Sequence, residues 1–448
     1  RALLRRVVTD GADGADDGVG AGVPLPTVPY DPAAAAARFA STPLAVGMRQ
    51  MQLVAPLVRF LAKVVLDVQR GAEEENRKAR AAELADLVGR MGPAIIKAGQ
   101  ALSSRSDLLP SEYLRELQRL QDDVPPFADA DAYEIVASEL GRPMEEVYEL
   151  VSATPVAAAS LGQVYRARLK EDGEGYRAGD EVALKVQRPG CEETIALDLY
   201  ILRAYSATLK KLLGLLGRDI DLVSVIDDFG RLIYAEIDYS VEASNGARFR
   251  NLYGTIANVS APAVYPSLST RRLLTMEWVD GTRLNDVDAL TAKGLQPSAL
   301  VDTLVQCSLR QMLGTGFFHA DPHAGNLLVT DDGVLTYLDF GMMSFLEPAQ
   351  RYAIIEAVVH MVNRDFTALS DLYGRMGFIP PDEDTAPIAA ALNDALPDVL
   401  NASVAELNFK SVINKLGDVM YKYPFSLPPF YIAVIRCLGV LEGVAMEV

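Results

Sequence analysis

The hydrophobic pattern changes its period near Thr154, and this change limits what the chain can fold into more than any other feature. Residues 31–150 repeat apolar side chains three and four positions apart, as in ENRKARAAELADLVGRMGPAIIKAGQALSSR, and SEYLRELQRLQ opens on a helix-capping serine. Beyond Thr154, SLGQVYRARL and EVALKVQ alternate or run β-branched, and the turn-rich KEDGEGYRAGD joins them. The sequence therefore predicts an all-helical N-terminal region followed by a β-hairpin.

Helical spacing returns after the hairpin and dominates the rest of the chain. It covers ETIALDLYILRAYSATLKKLLGLL and LVSVIDDFGRLIYAEIDYSVEASNGARF, and a short strand follows in RRLLTMEWVDG. After about Leu284 we predict helices, interrupted only by two short segments around FFHADPHAGNLLV. The prediction is an α+β fold in four parts: a disordered lead-in at 1–30, a helical extension at 31–150, a small mixed lobe at 151–281 and a helical lobe at 282–448.

Net charge and cysteine spacing argue against several classes of protein. The 448 residues carry a formal net charge of −18, which would repel a phosphate backbone, so nucleic acid is not expected as a partner. The three cysteines lie far apart and form no C-x-x-C pair, which argues against a zinc site and a disulfide framework. A reducing compartment fits this composition.

The most apolar early run is MQLVAPLVRFLAKVVLDV, at 51–68. It contains Arg59, Lys63, Asp67 and a proline, so it falls short of a clean membrane span. We expect a helix packed on the body of the protein, and the alternative is a helix lying on a lipid surface. The sequence begins without methionine and ends within the helical pattern RCLGVLEGVAMEV, which suggests a fragment, and no targeting segment is recognisable.

The stretch FFHADPHAGNLLV holds two of the three histidines, four residues apart. A zinc site would need both on one helical face, and the proline and glycine nearby disfavour a continuous helix. A loop is the better interpretation, because Asp321 and Asn326 then match the kinase catalytic loop H-x-D-x-x-x-x-N, in which the aspartate takes or orients the nucleophile's proton and the asparagine holds a metal. Thirteen residues after Asn326, LDFG supplies Asp339, a carboxylate suited to bridge Mg²⁺ and nucleotide phosphates. We expect the histidines to orient this loop by hydrogen bonds, with His319 in the position of the kinase histidine.

An upstream lysine fits the same scheme. VALK ends a strand with Lys185, like the V-A-I-K lysine that contacts nucleotide phosphates and pairs with a helix glutamate. Glu236 and Glu242, with Asp238 between them, lie on the following helical stretch, and either glutamate is a candidate partner.

Two further segments are candidates for nucleotide binding. Where a kinase would carry G-x-G-x-x-G, this chain has PVAAASLGQVYRARL, whose alanines bear Cβ atoms where glycine would let the backbone approach phosphate. TMEWVDG matches a kinase hinge in placement, with Met276 at the adenine pocket; the alternative is a buried strand edge. The candidate residues in these segments are Ala157, Ala158, Ala159, Ser160, Glu277 and Val279.

Taken together, these motifs resemble the UbiB-like atypical kinases, also called aarF-domain-containing kinases, and most closely their plastid and cyanobacterial branch. The most specific marks are KAGQALSSRSDLLP with a K-x-G-Q motif at 97–100, AAAS at 157–160, EIDY at 236–239, HADPHAGN and DFG. The resemblance extends over nearly everything from residue 30 onward. It implies a protein-kinase-like two-lobe fold with a helical N-terminal extension, whose K-x-G-Q helix lies across the active site.

The resemblance also implies roles for the charged residues. Glu236 would pair with Lys185, and Glu242 would be a second acid near the K-x-G-Q helix. Lys97 and Gln100, three residues apart on one helical face, would be regulatory.

For the loop, the resemblance implies that Asp321 is the catalytic base or orienter and that Asn326 and Asp339 bind metal. The implied cofactors are ATP or ADP with Mg²⁺, or with Mn²⁺ in its place. Two departures stand out: Ala324 replaces a proline that is usual in the family, and no A-P-E segment follows Asp339, which weakens a protein-substrate interpretation.

Three functions are compatible with the motifs. The first is an atypical kinase or ATPase that supports or regulates isoprenoid lipid and prenylquinone metabolism. The second is a pseudokinase, a nucleotide-gated scaffold for lipid or partner enzymes, motivated by the alanine loop and the extension. The third is a small-molecule phosphotransferase of the aminoglycoside or choline kinase type, whose members lack the K-x-G-Q extension.

The resemblance also implies partners and a location. The implied partners are nucleotide, an isoprenoid lipid or prenylquinone, enzymes of that pathway, and a peripheral membrane or lipid-droplet surface. The implied location is the plastid, peripheral to the thylakoid or plastoglobule, or the cytoplasm or membrane surface of a cyanobacterium.

Overall fold

A computed structural model describes residues 30–103, 111–118, 125–152, 154–215, 222–380, 382–395 and 428–447. The predicted disordered lead-in lies outside the described residues except for Tyr30, and so does the motif KAGQALSSRSDLLP beyond residue 103.

The helices of the described residues are α1 Pro32–Ala40, α2 Pro43–Arg70, α3 Glu73–Gly89, α4 Pro93–Ser103, α5 Ser111–Gln118, α6 Asp129–Leu140, α7 Met144–Val147, α8 Cys191–Leu215, α9 Leu222–Glu236, α10 Tyr239–Tyr253, α11 Val287–Ala292, α12 Pro297–Arg310, α13 Pro348–Val362, α14 Phe366–Arg375, α15 Ala386–Ala395 and α16 Pro429–Glu447. The strands are β1 Tyr148–Leu150, β2 Ala157–Ala158, β3 Gly162–Leu169, β4 Glu181–Gln187, β5 Val259–Ser260, β6 Leu273–Glu277, β7 Thr282–Arg283, β8 Phe317–His319, β9 Leu327–Val329, β10 Leu335–Tyr337 and β11 Met343–Phe345.

The chain divides into two compact units. The first unit comprises the described residues of Gly22–Ala247 together with Ala263–Trp278, and the second comprises Arg248–Pro262 and the described residues of Val279–Val448. The division falls within α10, between Ala247 and Arg248.

The predicted hairpin is confirmed in the first unit. Strands β3 and β4 pair antiparallel from Gly162 opposite Gln187 to Arg168 opposite Glu181, in a sheet ordered β1-β3-β4-β6 with β2 also on β3. Strand β1 corrects the prediction that helix continues to residue 150. The prediction missed this strand because three residues directly after a helix are too few to show a period of two.

The two faces of the sheet pack against different helices. Val182, Leu184 and Val186 of β4 share a buried cluster with α6. The alternate residue Ala183 lies with Tyr239 and the first turns of α10. Lys185 lies two residues after Ala183 on β4, and side chains two residues apart on a strand lie on the same face of the sheet. Lys185 is therefore on the side of the sheet that faces α10.

The helical extension packs on α8 within the first unit. Helix α2 contributes Leu53 to a cluster with Met91 and Ile201, so one face of this helix packs on the body as expected. It ends at Arg70, and the capping residue Gly71 has a φ of 67°, the left-handed conformation that favours glycine after a helix. Among the described residues, no helix combines the length and apolarity needed to cross a membrane.

The helical stretch predicted over 222–249 is two helices. Helix α9 ends at Glu236 and α10 begins at Tyr239. The carboxylate of Asp238 accepts hydrogen bonds from the Ser240 N–H at 3.1 Å and from the Ser240 hydroxyl, as an N-capping residue does. The cap starts a new helix where the apolar spacing alone predicted continuity.

The second unit holds two small sheets. One is ordered β5-β10-β9-β7 and the other pairs β8 with β11. They pack with α12 and α16 around Phe249, Phe318 and Tyr337. Strands β8 and β9 are the two ends of FFHADPHAGNLLV itself and do not flank it. Together with β10 and β11, they correct the prediction of two flanking segments in an otherwise helical region after Leu284.

Candidate functional site

Lys185 forms an ion pair with Glu242 in the first unit. The Lys185 Nζ lies 2.8 Å from each carboxylate oxygen, and only 3% of the Glu242 side chain is exposed. The Tyr239 ring lies 5.2 Å from the same Nζ, within range of a cation–π contact. The lysine is therefore held in one place by a buried acid from α10 and an aromatic face.

A second ion pair joins Lys97 of α4 to Glu236 at the end of α9. The predicted pairing of Glu236 with Lys185 is therefore wrong, and Glu242 is the partner of Lys185. The physical reason is the break at Asp238: Glu236 belongs to one helix, and Glu242 lies in the first turn of the next. The helix of the K-x-G-Q motif is thus tied to the acid of EIDY, and Gln100 lies one turn along that helix.

The junction between α9 and α10 is anchored to the sheet by a residue that the sequence analysis missed. The buried Gln187 side chain donates to the Ile237 carbonyl at 2.6 Å, two positions after Lys185 on β4. The Tyr239 N–H donates to the Arg271 carbonyl at 3.0 Å. The sequence did contain a signal for this role: a glutamine among the apolar residues of a strand is expected to be buried, and a buried polar group requires a hydrogen-bond partner.

The alanine-rich loop is an ordered part of the same sheet. Ala157 pairs with Val164 and Ala158 with Gln163, while Ala159 donates its N–H to the Gly162 carbonyl at 2.8 Å. A Cβ at Gly162 would lie 2.5 Å from the Val186 carbonyl oxygen, so glycine is needed where β3 meets β4. Ser160 is buried. Nucleotide binding by residues 157–160 stays a prediction.

The predicted hinge strand has a covered edge. The Glu277 carboxylate accepts from the Ala263 N–H at 2.9 Å, and the Glu277 N–H donates to the Ala263 carbonyl at 2.8 Å. Met276 is buried against Tyr239. Val279 belongs to the second unit. The adenine-binding role of Glu277 and Val279 stays a prediction.

In the second unit, His319 links the two aspartates of the candidate loop. Its Nε2 lies 2.8 Å from the Asp339 carbonyl oxygen, and its Nδ1 accepts from the Asp321 N–H at 3.1 Å. Burial lowers the pKa of the imidazole, an effect that the neighbouring Asp339 and Asp321 oppose. The neutral ring with its proton on Nε2 satisfies both contacts. The predicted hydrogen-bonding role of His319 is confirmed.

A glutamine that the sequence analysis missed supports His319. Helix α12 runs into a π-helical turn, Gln311–Thr315, and the side-chain oxygen of the fully buried Gln311 accepts from the His319 N–H at 3.0 Å. The Gln311 amide group also lies 3.2 Å from the Cys307 sulfur. A single wide turn of this kind often marks a functional region.

The loop itself is short and non-helical, as predicted. One 3₁₀ turn, Ala324–Asn326, follows His323, and Ala324 is buried in it. A Cβ at Gly325 would lie 3.0 Å from the His323 Nδ1, so the ring packs directly on this glycine. Among the described residues, no group of three or more His, Cys, Asp or Glu is arranged to hold a metal.

Asn326 and Asp339 lie on neighbouring segments. The Leu338 N–H donates to the Asn326 carbonyl at 3.0 Å, and β9 pairs with β10 next to this contact. One oxygen of Asp339 accepts from the Gly341 N–H at 2.9 Å. With Asp321, these side chains offer half-buried carboxylate and amide oxygens, the donors that Mg²⁺ prefers. The residues present fit a magnesium ion.

Comparisons with known proteins agree with the motifs. A family model described as the ABC1 atypical kinase-like domain matches residues 119–373.

Three relatives share much of their sequence with this chain. The Arabidopsis thaliana protein ACTIVITY OF BC1 COMPLEX KINASE 3, chloroplastic, is 45% identical over 417 residues, which cover 93% of this chain and 58% of that protein. An uncharacterized Synechocystis protein is 39% identical over 419 residues, which cover 93% of this chain and 72% of that protein. An Arabidopsis aarF domain-containing protein kinase, chloroplastic, is 45% identical over 372 residues, and the match spans 51% of its length. The chain thus spans between half and three fifths of the two Arabidopsis relatives.

A solved structure shares the fold. The complex of a Mycobacterium tuberculosis protein with erythromycin aligns with a TM-score of 0.56 and 21% identity, covering 86% of this chain and 94% of that chain. At this identity the likeness shows the fold alone. Together with the family model, it confirms the predicted kinase-like fold.

Proposed function

The chain belongs to the ABC1 atypical kinase-like family, and from this premise we propose that it binds ATP or ADP with Mg²⁺, or with Mn²⁺ in its place, as an atypical kinase or ATPase. We propose that this activity supports or regulates isoprenoid lipid metabolism, in particular that of prenylquinones. The observation that carries the proposal is the pair between Lys185 and Glu242, with both distances at 2.8 Å. A buried acid that holds a strand lysine is the arrangement by which kinases present a cation to nucleotide phosphates.

The second unit supplies the remaining residues of the proposed reaction. Asn326 and Asp339 would hold the metal ion, which neutralises charge on the phosphates when bound. Asp321 would orient the acceptor's hydroxyl group, or a water molecule, and accept its proton. His319 fixes the backbone of both aspartates through the contacts described above, so their side chains start from defined positions.

The setting of the reaction is part of the proposal. Relatives named chloroplastic and relatives from a cyanobacterium support a plastid or cyanobacterial location. We place the protein peripheral to a thylakoid or plastoglobule surface in a plastid, with prenylquinones or other isoprenoid lipids and enzymes of their pathway as partners.

The test is release of phosphate from Mg-ATP, with and without liposomes that contain a prenylquinol. The wild-type chain is compared with Asp339→Asn, which keeps the shape of the side chain and removes the charge that would hold the metal. We expect turnover stimulated by the lipid and lost in the variant. Failure of the natively folded chain to bind Mg-nucleotide would refute the proposal.

A second candidate is a nucleotide-gated scaffold without phosphoryl transfer. It is favoured by the loop at 157–160, where alanines occupy an ordered strand pairing in place of a flexible glycine loop. This candidate predicts Mg-nucleotide binding with no phosphate release above that of Asp339→Asn. Turnover that the variant abolishes would remove it.

A further inference from the structure

Helix α2 carries a long apolar face on its exposed side. Its 28 residues run about 42 Å at about 1.5 Å per residue. The large apolar side chains that are exposed along it include Leu44, Met48, Met51, Val58, Leu61 and Val65. At about 100° per residue, these positions fall within one arc of about 140°. No charged residue of α2 lies within this arc, and the nearest one, Arg59, lies at its edge.

Three of the five charged side chains of α2 face the body of the protein instead. Arg49 pairs with the fully buried Asp198 at 2.7 Å, and Asp67 accepts from Arg80 at 2.6 Å. Lys63 pairs with Glu83 of α3. The usual arrangement of a surface helix, with its apolar stripe inward and its charges in water, is thus largely reversed. Ion pairs and a few apolar contacts hold the helix to the body and leave the apolar arc outward.

The charges that remain exposed on α2 are positive. Arg59 and Arg70 lie along one edge of the arc, and the single acid of the helix, Asp67, is buried in its ion pair. This local excess of positive charge occurs in a chain with a net charge of −18. Exposed glutamates at 73–75 begin α3, beyond the turn at Gly71 and past the end of the face.

These charges distinguish a lipid surface from a second copy of the chain. A helical dimer built on this face would need acids on its margins to meet the arginines, because coiled-coil margins are matched by opposite charge. Helix α2 exposes none. A wide apolar arc with a cationic edge is instead the pattern of a helix that lies in the interface of an anionic membrane.

We propose that α2 is the element by which this protein docks on an anionic lipid surface, with the arc from Leu44 to Val65 in the acyl boundary and Arg59 near the headgroups. The inference rests on the proposed function for its setting and deepens it, because it assigns the peripheral lipid contact to one helix. The same helix touches the turn before α4, since Arg49 donates to the Met91 carbonyl. The docking helix is therefore in direct contact with the segment that leads into the K-x-G-Q helix.

The test is flotation of the full chain with phosphatidylcholine vesicles, with and without phosphatidylglycerol. The combined variant Met48→Gln, Met51→Gln and Val58→Gln replaces side chains that are 56%, 71% and 57% exposed. The matched control, Tyr352→Gln, Val358→Gln and Val362→Gln, replaces side chains of α13 that are 70%, 52% and 66% exposed. We expect the α2 variant to lose apparent vesicle affinity by about tenfold or more and the control to keep it.

A charge reversal tests the cationic edge separately. Arg59→Glu is expected to weaken flotation only with vesicles that contain phosphatidylglycerol, because a phosphatidylcholine bilayer carries no net negative charge to attract the arginine. Arg177→Glu, on an exposed loop of the first unit, makes the same change in net charge and is expected to have little effect.

Several outcomes would overturn the proposal. The α2 variant could float as well as the wild type, or the α13 control could lose binding equally. The wild type could ignore vesicles yet form a dimer that the α2 variant dissociates, which would assign the face to a second copy. Mg-nucleotide binding is measured on the same samples, so vesicle docking without nucleotide binding would refute the proposed function and leave the docking surface standing.

Discussion

Four charged residues carry the argument at the residue scale. Lys185 with Glu242, and Lys97 with Glu236, form two separate pairs in the first unit, and the first is the more buried of the two. No property of the sequence distinguishes the glutamates, because both follow the lysine strand at helical spacing. The assignment depends on where α9 ends, which is set by contacts with the sheet and the Asp238 cap.

A double-mutant cycle tests this pairing. We expect Lys185→Met and Glu242→Gln to be coupled by about 1–3 kcal/mol in the free energy of unfolding, since each charge loses its partner when the other is removed. Lys185→Met and Glu236→Gln should be additive within about 0.5 kcal/mol. Urea denaturation of the single and double variants measures both couplings. Stronger coupling to Glu236 would show that the pairing described above is wrong.

His319 should make stability depend on pH. Burial lowers the pKa of its imidazole in the folded chain, whereas an unfolded histidine titrates near about 6.5. The unfolded state therefore binds the extra proton as pH falls below about 6.5, and the free energy of unfolding decreases until the lower folded pKa is reached. His319→Gln should remove this part of the acid sensitivity, measured by urea denaturation at a series of pH values. His360→Gln, on α13, is the control, and equal acid sensitivity in wild type and His319→Gln would contradict the prediction.

At the scale of elements, the accuracy of the sequence analysis followed the length of each pattern. The hairpin β3–β4 was predicted because seven or eight residues alternate, while β10 and β11 have three residues each and leave no readable period. The break between α9 and α10 was missed because apolar spacing continues on both sides. The loop from His319 to Asn326 was predicted from its chemistry, but its support Gln311 was missed. Gln187, which supports the junction between α9 and α10, was missed as well, because the partner of each glutamine depends on the fold.

The cap between α9 and α10 gives a prediction at this scale. Asp238→Ala removes the acceptor for the Ser240 N–H and should lower the free energy of unfolding by about 1–2 kcal/mol. Because the same cap sets the start of α10, Glu242 should hold Lys185 less well and Mg-nucleotide affinity should fall. Asp365→Ala removes a comparable cap, to the Ala368 N–H of α14, and should cost similar stability without loss of nucleotide affinity. Calorimetric titration with Mg-ADP compares the two, and an equal loss in both would mean that the effect on binding is only a consequence of lower stability.

At the scale of the whole molecule, the proposed function assigns nucleotide-binding roles to residues of each unit. Mg-ATP should then raise the free energy of unfolding, by about 2.7 kcal/mol when free nucleotide exceeds its dissociation constant a hundredfold. Lys185→Met in the first unit and Asp339→Asn in the second should each reduce that gain. Only in Asp339→Asn should the remaining gain be insensitive to removal of Mg²⁺ by EDTA, because the Asp339 carboxylate is the proposed metal ligand. Thermal unfolding with ATP, with Mg-ATP and with added EDTA measures these differences in the wild type and both variants. A gain that survives both substitutions would place the nucleotide away from these residues and remove the basis of the proposed function, while the vesicle experiment on α2 would remain a separate question.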